Sequence, residues 1–254
     1  MTDDDIALAH DLAEAAGAAI RPYFRAPFDI ESKADASPVT VADRAAEAAM
    51  RTIIAERRPD DGVIGEEYGE DRPDAARVWV FDPIDGTRAF IAGRALFGTL
   101  IALLENGRPV LGVIDQPIAR ERWVGAPGRG TTLNGVAART RRCADLSSAY
   151  LGTTSPHAFD ADDFSQFEQL RAGVRDTLYG GDCHNYGLLG SGHLDLVVEA
   201  SLKIYDWAAL VPVVEGAGGI MRDWSGAPLA RGSDGRVVAA GDPALLAAAL
   251  ARLA

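Results

Sequence analysis

Asp82 and Asp85 stand three residues apart in the run Asp82-Pro83-Ile84-Asp85-Gly86-Thr87. Two carboxylates at that spacing, beside a proline and a glycine, suit a hard divalent cation, because carboxylate oxygens favour Mg2+ or Ca2+ over thiophilic metals. Pro83 biases Asp82 toward an extended backbone, which aims its side chain off a strand tip. Gly86 permits a tight reversal or a close backbone approach, and Thr87 supplies a hydroxyl where a helix could begin. The same residue types also make solvated turns, so both readings stand on this stretch alone. Other acids are candidates. Asp43 falls in the first turn of a predicted helix, where it either complements the helix dipole or faces a site. Glu66 and Glu67 follow the apolar piece Val63-Ile64-Gly65, and Asp206 precedes Trp207. The histidines, His10, His157, His184 and His193, have no paired metal-ligand spacing, which argues against a zinc site. His157 and His184 are candidates for lining a substrate pocket.

The elements that must position these residues are legible from periodicity. Val78 to Phe81 reads as a buried strand delivering Asp82. Helices are predicted over 3–26, from Ile6, Ala9, Ala13, Ala16, Ile20 and Phe24, and over 40–58, stopped by Pro59. Residues 28–33 suggest a short strand and 33–37 a polar loop. Strands are expected at 97–105 and 110–114, joined by the hairpin signal Asn106-Gly107, and at 123–124. Residues 126–147, rich in Gly, Thr and Arg and including Asn134-Gly135, mark the main shift in composition. Beyond it, strands at 149–153, 174–179, 193–199, 220–224 and 237–240 alternate with helices at 161–172, within 182–192, at 206–217 with Asp206 as N-cap, and at 243–253. Such alternation argues an α/β layered fold. The expected division is 1–145, carrying most of the metal-binding acids, and 146–254, completing the site.

The 254 residues suffice for a large core. At 48% hydrophobic and 24% charged the composition is that of a globular protein. The net charge of -12 disfavours a nucleic-acid backbone as partner, but not a small phosphate ester, because bound cations can supply positive charge locally. The acidic start, MTDDDIALAH, lacks the pattern of a secretory signal, and no apolar run of about 18 residues suggests a membrane span. Cys143 and Cys183 form neither a metal-ligand spacing nor a disulfide framework. A cytoplasmic protein with no membrane or nucleic-acid partner is expected.

Three elements in order, Gly65-Glu66-Glu67, Asp82-Pro83-Ile84-Asp85-Gly86-Thr87 and Tyr205-Asp206-Trp207-Ala208-Ala209 with Glu215-Gly216-Ala217-Gly218-Gly219, make the chain resemble the inositol monophosphatase superfamily over nearly its whole length. These are Mg2+-dependent, lithium-sensitive phosphomonoesterases. The resemblance implies a layered α/β/α/β/α sandwich of the inositol monophosphatase and fructose-bisphosphatase type, usually a homodimer. It implies two or three Mg2+ ions per site, with Glu66, Asp82 and the Ile84 carbonyl at one and Asp82, Asp85 and Asp206 at another. It further implies that Asp43, Glu66 and Thr87 serve the attacking water, and that Gly86 and Thr87 present backbone amides to phosphate.

Within the superfamily, Arg88-Ala89-Phe90-Ile91-Ala92-Gly93, Thr153-Thr154-Ser155-Pro156-His157, Gly180-Gly181-Asp182-Cys183-His184-Asn185-Tyr186-Gly187 and the stretch from His193 to Asp206 are most similar to the histidinol-phosphatase branch. L-histidinol phosphate is the substrate so implied. Its ammonium and imidazole would need acids, for which Asp182 and Glu199 are candidates. Asp182 is equally placed to be an N-cap and Glu199 a solvated strand end. Arg88, Asn185 and Asp206 complete the expected substrate contacts. Inositol monophosphate and phosphoadenosine phosphate are the alternative substrates, and a regulatory binding protein on this fold is the alternative of another class.

Overall fold

The computed structural model describes residues 1–27, 30–32 and 38–253. Helix α1 (Asp3–Ile20) opens at Thr2, whose amide donates to the Asp5 carboxylate at 2.6 Å while its hydroxyl accepts from the Asp5 amide. This reciprocal box satisfies amides that a helix start otherwise leaves without partners. The α-helix is shorter than predicted: Pro22, lacking an amide proton, sits in a 3-10 turn at 21–23. Strand β1 (Ile30–Ser32) pairs antiparallel with β2 (Pro38–Thr40); the rest of the predicted strand at 28–33 and the loop at 33–37 lie outside the described residues. Helix α2 (Val41–Arg57) repeats the box with Thr40 and Asp43.

An eight-stranded sheet follows from β3 (Gly62–Gly65), β4 (Gly69–Asp71), β5 (Arg77–Asp85), β6 (Gly98–Glu105), β7 (Arg108–Gln116), β8 (Glu121–Ala126), β9 (Gly130–Leu133) and β10 (Val136–Ala138), in the spatial order 10-9-8-7-6-5-3-4. Only β3 and β5 run parallel; the other pairs are antiparallel. The short helix α3 (Thr87–Ile91) leaves the end of β5. Strands β4, β9 and β10 are not foretold by hydrophobic pattern: β4 is exposed throughout, and the β9–β10 hairpin turns on Asn134 and Gly135, both at positive φ.

The second half supplies β11 (Tyr150–Thr153), α4 (Ala161–Arg171), β12 (Asp176–Tyr179), α5 (Cys183–Gly190), β13 (Leu196–Glu199), α6 (Ile204–Trp207), α7 (Leu210–Gly216), β14 (Ile220–Arg222), β15 (Val237–Ala240) and α8 (Pro243–Leu253). Its five strands lie in the order 12-11-13-15-14, with β12, β11 and β13 parallel. The helix predicted over 206–217 is two pieces, and Asp206 is not its N-cap: Lys203 is, and Asp206 accepts the Lys203 amide at 2.6 Å from the first turn of α6.

Three apolar clusters order these elements into layers. Leu8, Leu12, Ala16, Ala46, Met50 and Ile54 of α1 and α2 pack against Trp79, Phe81, Ile101, Leu103 and Val113 on one face of the large sheet. Val78, Val80, Leu100, Ala102 and Ile114 on its other face meet Tyr186, Leu189 and Val213 of α5 and α7, which also cover Val197, Val237 and Ala239 of the small sheet. The outer face of that sheet, Leu151, Leu196, Val198 and Val238, is covered by Phe167 and Leu170 of α4 and Leu245 and Ala249 of α8. Alternate residues of β5, β6, β13 and β15 thus point into different cores, as the two-residue period of a strand requires, and the result is an α/β/α/β/α sandwich. Among the described residues no helix is long and apolar enough to cross a membrane.

Candidate active site

The end of β5 is where the ladder breaks. Its pairing with β6 shifts register between Asp82 and Asp85. Pro83 cannot donate to the ladder, and its carbonyl instead accepts the Thr99 hydroxyl at 2.8 Å. The Ile84 amide donates to Asp82 Oδ1 at 3.0 Å, and the Ile84 carbonyl accepts the Thr87 hydroxyl at 3.2 Å. Gly86 then adopts φ 93°, ψ 39° to start α3. A Cβ there would meet the Asp182 carboxylate at 2.9 Å, so the second half of the chain closes directly over this turn. The Cys183 amide donates to Asp85 Oδ2 at 2.5 Å, tying α5 to β5.

Asp206 arrives from α6, and Asp82, Asp85 and Asp206 present carboxylate oxygens that all lie within 4.8 Å of one another. Burial raises the Asp82 carboxyl well above the ordinary range, and the charges of Glu66, Asp85 and Asp206 raise it further. Asp85 is raised by desolvation and by the charges of Asp182 and Asp206. Asp206 is pushed up to about 7, chiefly by desolvation, against the hydrogen bond from Lys203. Among the described residues such a cluster is under-supplied with positive charge, and its donors are all hard oxygens. It therefore fits a divalent cation of the Mg2+ kind, with Glu66 and the Ile84 carbonyl on the same rim.

A cleft of about 720 Å3 opens over the cluster, lined by Glu66, Asp82, Ile84, Asp85 and Asp206 on one side and by Gly86, Thr87, Arg88, Asp182 and His157 among others. Three expected site residues stand behind this wall. Asp43 is buried on α2; burial, with the Glu66 charge, raises it to about 6, and its Oδ1 has no hydrogen-bond partner among the described residues. Glu199 is buried at the end of β13, accepts the Thr154 amide and hydroxyl at 3.0 and 2.6 Å, and is held up to about 8, by burial first. Asn185 is buried and donates to the Gly180 carbonyl at 3.0 Å, where it occupies the space a Cβ on Gly181 would need. Asp182, held at φ 45°, faces the cleft and is raised to about 6 by burial despite the charge of Arg88. Of the two candidate histidines, His157 lines the cleft; His184 turns away to Glu121, 3.1 Å distant, and to Trp123.

Sequence reasoning missed Glu47, Thr99, Ser155 and Arg94. Thr99 and Ser155 carry no periodic signal. Arg94 lies after α3 and faces the cleft. Glu47 could have been found: it falls four residues after Asp43, on the same face of one helix.

The inositol monophosphatase family model matches residues 1–254, and the chain belongs to that family. A solved inositol monophosphatase from Zymomonas mobilis is 60% identical and superposes with a TM-score of 0.92, covering 99% of this chain and 98% of that one. The bifunctional phosphatase IMPL2 of Arabidopsis thaliana is 54% identical over 87% of this chain, and the match spans 64% of its length. A histidinol-phosphatase of Chlorobaculum parvum is 38% identical over 87% of this chain and 86% of its own.

This ordering corrects the assignment to the histidinol-phosphatase branch, since the likeness to a solved inositol monophosphatase is far greater than to proteins named for histidinol phosphate. The structure explains why the local motifs misled. Phe90 packs edge-on to Phe97 at 5.0 Å, and Cys183, Asn185 and Tyr186 are buried. Part of the resemblance therefore reports packing beneath the cleft, while Arg88, Ala89, Ala92, Gly180, Gly181 and Asp182 line it.

Proposed function

We propose that the protein is a Mg2+-dependent phosphomonoesterase acting on an inositol monophosphate. The observation that supports this most is the convergence of Asp82, Asp85 and Asp206 at the floor of a cleft, in a chain 60% identical to an inositol monophosphatase. Glu66, Asp82, Asp85, Asp206 and the Ile84 carbonyl would hold two or three ions. These would offset the carboxylate charge and supply Lewis acidity at a phosphoryl oxygen.

The chain's own groups do the rest. The start of α3, from Gly86 to Arg88, faces the cleft with first-turn amides that have no partner further back in the helix, an arrangement suited to phosphate oxygens. Thr87, anchored on the Ile84 carbonyl, and Glu66, with the Asp43 carboxylate behind it, orient a water for in-line attack. Its oxygen bonds to phosphorus as the bond to the inositol oxygen breaks; one of the water's protons stays on the phosphate formed, and the other is released to solvent, which returns a proton to the departing alkoxide. No phosphoenzyme is formed. Asp182, Ser155, Thr154 and His157 surround the leaving group and can exchange hydrogen bonds with ring hydroxyls.

The test is phosphate release with Mg2+ from myo-inositol monophosphate, phosphoadenosine phosphate and L-histidinol phosphate, with an EDTA control. Inositol monophosphate should have the highest kcat/KM. A value for either of the others about 100-fold higher, roughly 2.7 kcal/mol of discrimination, would overturn the substrate while leaving the metal chemistry. The homodimer implied by the resemblance belongs to the same proposal and is checked by sedimentation.

A further inference from the structure

Glu47 is fully enclosed, with none of its surface exposed. It lies one turn after Asp43 on α2. Its Oε2 accepts the Glu67 amide at 2.7 Å, and its Oε1 accepts the Tyr68 amide at 3.2 Å and the Arg51 Nε at 2.7 Å. Arg51 also donates to the Gly69 carbonyl. The carboxylate occupies the space beside Gly65 so completely that a Cβ on that residue would lie 1.9 Å from Oε1. Residues 66–68 are the turn between β3 and β4, and the Glu66 amide is tied to the Phe81 carbonyl of β5 at 3.2 Å. The turn is therefore gripped on both sides of Glu66: by β5 at its own amide, and by Glu47 at the next two.

A buried carboxylate that accepts two backbone amides from one turn, with Arg51 beside it to answer its charge, fixes where that turn stands. We propose that Glu47 is a positioning residue for the cation site: by clamping the Glu66–Tyr68 turn to α2 it holds the Glu66 carboxylate in place beside Asp82. Glu47 itself touches neither cation nor substrate. The inference rests on the reading of Glu66 as a cation ligand.

The test is Mg2+ binding to the substrate-free protein by titration calorimetry, for the parent, Glu47→Gln and Glu66→Gln, with thermal melts in EDTA as a fold check. Glu47→Gln should weaken Mg2+ binding by about 10–100-fold, as loss of a supporting partner to a ligand does. In assays it should raise the Mg2+ concentration for half-activation, while the KM for substrate at saturating Mg2+ stays within about threefold. A general loss of structure would move kcat and KM together and would not be restored by excess Mg2+. A folded Glu47→Gln with parental Mg2+ affinity, beside a Glu66→Gln that has lost it, overturns the positioning role. Parental affinity in Glu66→Gln overturns instead the ligand reading beneath it. If Glu47→Gln does not fold, Arg51→Ala carries the test: a rise in the Mg2+ dissociation constant is expected, and none would overturn the proposal.

Discussion

Asp82, Asp85 and Asp206 hold like charges together with little water to separate them, a state that costs stability until cations arrive. Asp85→Asn removes one charge and almost no volume. It should cut turnover at least about 100-fold, the scale of losing one preorganised electrostatic group. It should also raise the melting temperature in EDTA by about 2–4 °C, the shift that roughly 1 kcal/mol gives in a protein of this size. Parental turnover would remove Asp85 from the site. The pH dependence has a definite sign. Asp182, Asp206 and Glu199 titrate near 6, 7 and 8 in the folded protein, above their ordinary values of 3.8, 3.8 and 4.5. The unfolded chain therefore releases these protons first, so their contribution is full below about pH 4 and is lost as pH rises through 6 to 8. Melting temperatures in EDTA should fall between pH 5 and 8, and saturating Mg2+ should raise them more at pH 8 than at pH 5. A flat profile in EDTA would mean that burial, with the neighbouring charges, does not raise these acids.

Among the elements, the turn from β5 into α3 sets the direction of everything in the cleft. Gly86 sits at φ 93° with the Asp182 carboxylate 2.9 Å from where a Cβ would be. Gly86→Ala should cost about 1–2 kcal/mol of backbone strain and, by pushing Asp182 and α3 apart, at least tenfold in kcat/KM. A variant with parental kinetics would show that the turn tolerates displacement. This element was the most legible in the sequence, because an apolar run ending in Asp-Pro and Asp-Gly combines a buried strand with the residues that end one. The long helices were legible through their periodicity, and β15 and α8 fall where the pattern places them. The exposed β4 was not, since a strand without a buried face has no alternation to read. Nor was the break at 206–217: residues 204–216 are apolar on several sides, and the capping of α6 by Lys203 follows from where Asp206 must point.

At the scale of the molecule, the two sheets are joined through α7, which lies flush on β7 and β8 because two strand residues lack side chains. A Cβ on Gly112 would fall 2.0 Å from the Ala209 carbonyl, and one on Gly125 2.4 Å from the Pro212 carbonyl. Gly125→Ala should destabilise the protein by about 1–3 kcal/mol, the usual cost of overpacking. By lifting the helix that follows Asp206, it should also weaken Mg2+ binding several-fold; a melt unchanged from the parent would show that the layers are not in such contact. Glycines at these crossings have no sequence signature, since their partners lie about ninety residues away along the chain. The layered architecture was nonetheless legible from alternation of strands and helices, whereas the substrate was not. Phe90, Cys183 and Tyr186 are buried and do not line the cleft, so their identities do not report the leaving group.

The acids of the cluster come from β5 and α6, and Glu66 from the β3–β4 turn, so no contiguous segment contains the site. A chain that has docked only its first sheet has the strand but not Asp206, and therefore little hold on an ion. Added Mg2+ should then leave the refolding rate nearly unchanged and act almost wholly on the reverse step, lengthening the lifetime of the native state. Stopped-flow refolding and unfolding with and without the ion would reveal a brake on opening rather than a template for closing.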